Sequence, residues 1–418
     1  MLSNQNLSSL LRHRLFKNSS TLFFVQVVNY LVPLITLSVL TKNLGYASYS
    51  ILAFALGVAV VGNVITDYGF YLSATERVAR YRKYPTILAI NLGSVLTCKL
   101  LLFIAYSILI FCATLTVDRF AEYQSEVLYA LFPVFTNILL LNWFFQGLEK
   151  MKPIAVVMIS SKILLVAMIF LLVKSSEDVV TALLIQGFTT GLAGVASLLI
   201  AMHAGYFPVV RLRHIYVTAR CGLSYFVSRL ASLTYTGMNT LLLGVFAGIG
   251  SVGAYAIAEQ IYKALQGIFH PIYFSVYPYM ASQRNYRVFF NALALSVGAA
   301  ILIIPFAHLL YPVFVNLVTS ESFSASSEIF DIFLLIFLVN LIGSFLGYPY
   351  LVALGENRLA NKSILLAALF HVALLSLVYL FYEITATSLV LSVLVTESFV
   401  LLYRLRYTLA LEYERRRA

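Results

Sequence analysis

Four basic residues, Lys99, Lys162, Arg229 and Lys263, lie inside long apolar runs, and Asp67, Glu259, Asp331 and Glu397 lie within or at the ends of such runs. A charge near the centre of a bilayer costs about 2.5–3.5 kcal/mol even on the lenient insertion scale, so each needs a partner or a water-filled cavity. Several polar residues recur at helical spacing: Gln26, Asn29, Pro33 and Thr36; Arg229, Ser232, Thr236 and Asn239; Glu259, Lys263, Gln266 and His270. That spacing puts each set on one stripe of a helix. A polar stripe on an apolar span must face protein or water, because lipid cannot satisfy it. Arg229 has no acidic residue three or four places away, and its planar fork suits a phosphate or a carboxylate. It is expected to face a substrate.

The other charges each leave two readings open. Glu259 and Lys263 stand four residues apart with Glu first, which makes either a self-neutralising pair or one that opens when an anion or proton arrives. His270 can carry protons or simply hydrogen-bond to a neighbour. Lys99 and Lys162 can line a cavity or snorkel along their stems to an interface. Glu397 can serve coupling or pair with another span.

The elements that hold these residues follow from composition. In 418 residues the hydrophobic set makes up 61% and charged residues 11%, against about 45–50% and about 25% in a soluble domain. Mean hydropathy is +0.91. A soluble fold could not cover itself with so little polar surface, so the solvent is lipid. At about 20 residues per span, the chain has room for about twelve. Apolar runs are read at roughly 20–41, 48–66, 86–112, 127–146, 154–173, 179–203, 221–247, 254–282, 288–311, 328–354, 363–382 and 386–403. This predicts an all-α polytopic membrane protein.

The net charge of +11 reflects topology before it reflects a partner. Alternate breaks carry Arg12, Arg14 and Lys17; Arg77, Arg80, Arg82 and Lys83; Lys150 and Lys152; Arg211, Arg213 and Arg220; Arg284 and Arg287; Arg358 and Lys362; and a terminal group of Arg404, Arg406, Arg415, Arg416 and Arg417. The opposite breaks carry only Lys42, Arg119 and Lys174. The positive-inside rule therefore places both termini in the cytoplasm, and nucleic acid is not an expected partner. The basic N-terminus resembles a signal peptide, but no small-residue cleavage site follows it. Cys98, Cys112 and Cys221 all fall in apolar runs, too few and too enclosed for a disulfide framework or zinc site. There is no Walker A sequence, HExxH or GxSxG, so no enzyme, metal or cofactor is expected.

The chain also repeats at about half its length. Leu44-Gly45 with Tyr49 recurs as Ile249-Gly250 with Tyr255, and Gly147-Leu148-Glu149-Lys150 recurs as Gly355-Glu356-Asn357-Arg358. Two six-span halves of like orientation, related by an axis along the membrane normal, fit this pattern. The expected division is a lobe over 1–206, a linker over 207–220, a lobe over 221–403 and a basic tail over 404–418. Spans 1 and 7 hold equivalent places, as a cavity at the repeat interface requires. Prolines 33, 278, 305 and 349 permit bending, and Tyr273, Tyr277 and Tyr279 suit either an interfacial belt or sugar stacking.

Asp67-Tyr68-Gly69-Phe70-Tyr71-Leu72-Ser73-Ala74-Thr75-Glu76-Arg77-Val78-Ala79 is similar to the "DYGF…SAT…VA" signature of bacterial O-antigen flippases of the Wzx type. Trp143-Phe144-Phe145-Gln146-Gly147-Leu148-Glu149-Lys150-Met151-Lys152 is similar to their "FQGxEKM" segment, and Ala254–Ile261 with Tyr277-Pro278 resembles their span 8. These proteins belong to the multidrug/oligosaccharidyl-lipid/polysaccharide (MOP) flippase superfamily, which includes the MATE transporters. The resemblance implies movement of an undecaprenyl-pyrophosphate-linked oligosaccharide from the cytoplasmic to the periplasmic leaflet of the inner membrane. Alternating access of two six-helix lobes, driven by an ion or proton gradient, is the implied mechanism. An O-antigen polymerase and a chain-length regulator are implied as pathway partners. Asp67 matches an acidic motif position, as a coupling or gating residue or as a cap paired with Arg77 or Arg80. Substrate contacts are then expected from Arg229, Lys263, Gln26, Asn29, Thr236, Asn239, His270, Lys99 and Lys162, and coupling or gating from Asp67, Glu259 and Glu397. The alternatives are a lipid II flippase, a multidrug/cation antiporter of the same fold, and an O-unit polymerase or ligase. Twelve spans, the balance of bases and acids, and the short external loops respectively argue against them.

Overall fold

The computed structural model describes the backbone of residues 4–318 and 324–417, and side chains from Gln26 onward except residues 27, 274, 318, 324, 325 and 416. The first basic group, Arg12, Arg14 and Lys17, and Arg416 lie outside the described side chains. The described residues are helical, with no strand among them. Nine stretches among them are long and apolar enough to cross a membrane.

In order, the helices are α1 (Asn4–Asp67), α2 (Phe70–Arg80), α3 (Pro85–Thr116), α4 (Asp118–Glu122), α5 (Gln124–Tyr129), α6 (Leu131–Asn137), α7 (Asn142–Gly147), α8 (Met151–Leu172) and α9 (Val179–His203). They continue as α10 (Leu212–Thr236), α11 (Asn239–Phe246), α12 (Ile249–Gln283), α13 (Tyr286–Val318) and α14 (Ser324–Phe345). A π-helix (Leu346–Val352), α15 (Asn357–Phe381) and α16 (Ala386–Arg417) complete the chain. Helix α1 covers the first two expected spans. Its 64 residues are broken at Gly45, whose φ of 73° and ψ of 176° no side chain tolerates easily.

The chain forms two compact units. Unit 1 holds residues 1–36, 58–174 and 180–229, and unit 2 holds 37–57, 175–179 and 230–418.

In unit 1, α3 shows how the sequence sorts its faces. From Leu88 to Val95 it is enclosed on every side, and Lys99, Tyr106, Ile110 and Thr114 then follow helical spacing and are buried, while Leu101, Ile104, Ile108, Leu109 and Leu115 are exposed on the surface a membrane would cover. The buried stripe joins Phe70, Ala74 and Val78 of α2 and Trp143, Phe144 and Phe145 of α7 in one core. The apolar run at 127–146 falls within one candidate span, Gln124–Gly147, which is divided along its length into α5, α6 and α7. Pro133 lies in α6, and Ser197 of α9 serves the next break. Its hydroxyl accepts from the Leu141 amide at 3.2 Å and lies 3.1 Å from the Leu139 carbonyl. A broken span survives in lipid only where such partners satisfy the freed backbone.

In unit 2, α12 and α14 meet along aromatic pairs: Tyr262 stacks on Phe333 at 4.8 Å, and Phe269 meets Phe337 edge-on at 5.5 Å. Tyr273, half-buried, packs edge-on against Phe345 at 4.9 Å. The π-helix forms around Pro349, whose missing N–H interrupts the helical ladder. Helix α16 runs on through the terminal basic group to Arg417. Of the three cysteines, Cys98 is buried, but Cys112 and Cys221 are exposed on helix surfaces. Cys112 sits on the exposed outer face of a long apolar helix, so an apolar run does not enclose it.

Candidate functional site

Asp67 ends α1, and the turn after it decides what the carboxylate meets. Tyr68 and Gly69 both take positive φ, 47° and 73°, so the chain reverses sharply into α2. Gly69 is required there twice over. Its φ is left-handed, and a Cβ would lie 2.5 Å from the Cβ of Tyr225 on α10. Tyr68 stacks on Phe226 of α10 at 4.4 Å. This contact fixes α10 against the turn, and Arg229, one helical turn beyond Phe226, comes beside Asp67. Lys99 arrives on the buried stripe of α3.

Three helices thus bring together one carboxylate and two cations. Lys99 Nζ lies 3.4 Å from Asp67 Oδ1, and Arg229 Nη1 lies 3.8 Å from Asp67 Oδ2. The side chain of Lys99 is 6% exposed, that of Asp67 14% and that of Arg229 44%. Lys99 and Asp67 are the enclosed pair. Arg229 is the accessible cation, and the cluster carries one formal positive charge in excess. Tyr71 borders the same group, and Gln146 lies beside Tyr71.

These contacts correct three expectations. Arg229 is not unpaired: its acidic partner is distant in sequence. Asp67 does not pair with Arg77 or Arg80. Arg77 donates to Thr218 Oγ1 at 3.1 Å, and Arg80 pairs with Glu76 at 2.7 Å. Lys99 does not snorkel, since it sits in the core.

The two N-terminal motifs meet each other. The Thr75 hydroxyl donates to the Trp143 carbonyl at 3.0 Å, and Arg82 Nε donates to the Gly147 carbonyl at 2.6 Å. Arg82 also pairs with Glu149 at 2.8 Å. The motifs therefore lock α2 to α7 and hold the turn that carries Asp67. Elsewhere in unit 1, Gln26 donates to Tyr30 at 3.1 Å, and Asn29 and Lys162 are half-buried on α1 and α8. The structure brings none of these three into contact with the Asp67 cluster.

Unit 2 holds the remaining expected residues. Lys263 pairs with Glu259 at 2.9 Å along α12. His270 lies 5.8 Å from the Tyr273 ring. Thr236 donates to the Ser232 carbonyl at 2.8 Å, and Asn239 to the Tyr235 carbonyl at 3.2 Å, so both bond back to their own chain segment. Glu397, 6% exposed, lies beside Asn340 and Arg404. Asp331 finds its partner in His308 at 2.6 Å.

Two residues here escaped the sequence. Asn340 accepts from Gln266 at 2.9 Å and from Ser344 at 3.3 Å. Its one signal was an amide inside the apolar run 328–354. Arg404 was grouped with the terminal basic residues, yet it donates to Ser363 Oγ at 3.0 Å and to the Gly343 carbonyl at 2.8 Å. Among the described residues no three of His, Cys, Asp and Glu cluster as a bound metal would need.

The family profile described as "Polysaccharide biosynthesis protein" matches residues 15–284, more than half of the chain. The chain belongs to this family. Among curated relatives of this family member, a protein of Shigella dysenteriae, provisionally named an O-antigen transporter, is 28% identical over 401 residues. That match covers 93% of this chain and 99% of the relative. A protein of Escherichia coli strain K12 with the same provisional name is 29% identical over 269 residues, 64% of this chain and 65% of that one. Among solved structures, an inward-closed lipid II flippase MurJ aligns with a TM-score of 0.76 at 17% identity, over 94% of this chain and 87% of that one. An inward-facing multidrug-resistance MATE transporter aligns with a TM-score of 0.71 at 13% identity, over 92% and 94%. At such identities the likeness shows the fold, which is that of the MOP superfamily.

Proposed function

We propose that this chain is a transporter, not an enzyme, that flips an undecaprenyl-pyrophosphate-linked O-antigen repeat unit. It works from the cytoplasmic to the periplasmic leaflet of the bacterial inner membrane. The observation that carries this reading is the uneven cluster of Asp67, Lys99 and Arg229. One carboxylate faces two cations, and the more exposed cation is the more loosely held, at 3.8 Å against 3.4 Å. A pyrophosphate can take Arg229 from Asp67 and form charge-assisted bidentate bonds. Asp67 keeps Lys99 on Oδ1 as its counter-charge. The provisional names of the two curated relatives and the MurJ-like fold support the same substrate class.

The sugars then meet amides, hydroxyls and rings such as Gln26, Asn29, Tyr71 and Gln146, and the prenyl tail stays in lipid. Lys162 adds a cationic contact, with Thr236, Asn239 and His270 as polar lining. Glu397, buried beside Asn340, is the coupling carboxyl. Both termini lie in the cytoplasm, on the side of the basic breaks. The halves over 1–206 and 221–403 alternate access around the linker at 207–220.

Deletion of the gene in its own host tests the reading. The expected result is loss of the O-antigen ladder, with lipid A–core intact and repeat units trapped on the cytoplasmic side. Units trapped on the periplasmic side would mean a polymerase or ligase, and an unchanged ladder would remove the O-antigen assignment.

A further inference from the structure

We propose that unit 1 carries a second anion site, separate from the Asp67 cluster, which takes a phosphate ester group between α2, α3 and the start of α10. A cavity of about 220 Å³ opens there, lined by Arg77, Tyr81, Asn91, Ser94, His214 and two isoleucines. Eight residues of α3, about 12 Å of helical rise, separate Asn91 from Lys99.

The segment before α10 is held against α3 next to the cavity. The Val209 amide donates to the Ala89 carbonyl at 3.0 Å and pins this stretch along α3. Asn91 is 3% exposed and Ser94 is fully enclosed. Both polar atoms of Asn91, the Ser94 hydroxyl oxygen and His214 Nδ1 are buried and make no hydrogen bond to the protein. Four such atoms around one cavity are unusual, because buried polar groups almost always find partners.

The chemistry of the lining selects the ligand. Arg77 spends one N–H on Thr218, and its guanidinium has five donors in all. Asn91, Ser94 and Tyr81 add further donors, and no carboxylate lines the cavity. The set is cationic and rich in donors, so it suits an oxyanion. Size narrows the choice. The volume is several times the about 30 Å³ share of one water. It falls below the about 300 Å³ at which pockets for drug-sized ligands begin, so an oligosaccharide does not fit. The Asn91 carbonyl adds one acceptor. A phosphate ester with a neighbouring hydroxyl, such as a phosphoglycerol headgroup, satisfies the lining more fully than bare phosphate.

The test uses the purified full chain in neutral detergent. It is titrated separately with phosphatidylglycerol, phosphatidylcholine and inorganic phosphate, and followed by native mass spectrometry and melting temperature. Binding is read apart from transport, so failure here and failure of the flippase reading are distinguishable. The expected result is retention of phosphatidylglycerol over phosphatidylcholine, weakened about tenfold or more in Arg77→Gln, which loses charged hydrogen bonds. A loss of about threefold is expected in Ser94→Ala, a deletion of one hydroxyl that leaves packing intact. Equal dependence on both residues with inorganic phosphate as the tighter probe would assign the pocket to a free phosphate. Equal binding of every probe by the wild type, Arg77→Gln and Ser94→Ala, or binding of none, would overturn the proposal and leave a pocket that holds only water.

Discussion

In unit 1 the buried charges converge from three helices, whereas in unit 2 the closest acid–base pair within the expected stripes lies along one. Asp67, Lys99 and Arg229 come from α1, α3 and α10. Glu259 and Lys263 are one turn apart on α12. The first arrangement exists only when the fold is complete, and it leaves one positive charge in excess. The second forms on a lone helix and balances itself. Buried charge assembled from afar, at the expense of desolvation, is better placed to meet a ligand than charge that cancels locally.

The largest effect is expected from breaking the enclosed half of the unit 1 cluster. Asp67→Asn leaves Lys99 buried without a counter-charge, a change worth about 3–5 kcal/mol. Melting of the purified protein should fall accordingly, and adding Lys99→Met should recover most of the loss. Asp67→Glu should be milder in both stability and transport. Equal behaviour of Asp67→Asn and Asp67→Glu would mean a structural cap and no role for charge.

Arg229 comes next. Its removal should spare insertion and folding, because it is exposed and loosely held, yet cut transport about tenfold to a hundredfold. That is the scale of a lost charged hydrogen bond of about 1.5–3 kcal/mol. Arg229→Lys should restore transport only in part, since an ammonium cannot make the bidentate contact. Smaller still is Gln266→Met in unit 2. It removes one donor from Asn340, which keeps Ser344, so a loss of about 1 kcal/mol in stability is expected. Lys263→Met should do least. An i,i+4 pair is worth about 0.3–0.5 kcal/mol, and melting should hardly move. A large loss from Lys263→Met beside a small one from Arg229→Ala would invert the comparison.

The fold class was legible because lipid imposes it: 61% hydrophobic residues and alternating basic breaks leave little else. The motif residues were legible as a pattern, but their work was not. Thr75 and Arg82 serve Trp143 and Gly147, some seventy positions away, and no spacing rule reaches that far. Arg229 was singled out correctly as a charge with no local partner. Its partner Asp67 was also singled out, and only the turn at Tyr68 and Gly69 joins them. Periodicity reports the face of one helix, so it found the Glu259–Lys263 pair directly. It missed Arg404, whose partners Ser363 and Gly343 lie on other elements. The breaks in the run at 127–146 were hidden because Ser197, which stabilises them, lies in α9.

The central claim is that Arg229 is the substrate-facing cation of the Asp67 cluster. It is tested most directly by reconstituting the wild type, Arg229→Ala, Arg229→Lys and Lys263→Met in proteoliposomes with the host's own lipid-linked oligosaccharide. Flipping is read as the fraction of oligosaccharide that becomes accessible to an external glycosidase. The account predicts a loss of about tenfold or more for Arg229→Ala, partial recovery for Arg229→Lys, and a rate within about threefold of wild type for Lys263→Met. Flipping by Arg229→Ala at the wild-type rate would contradict it.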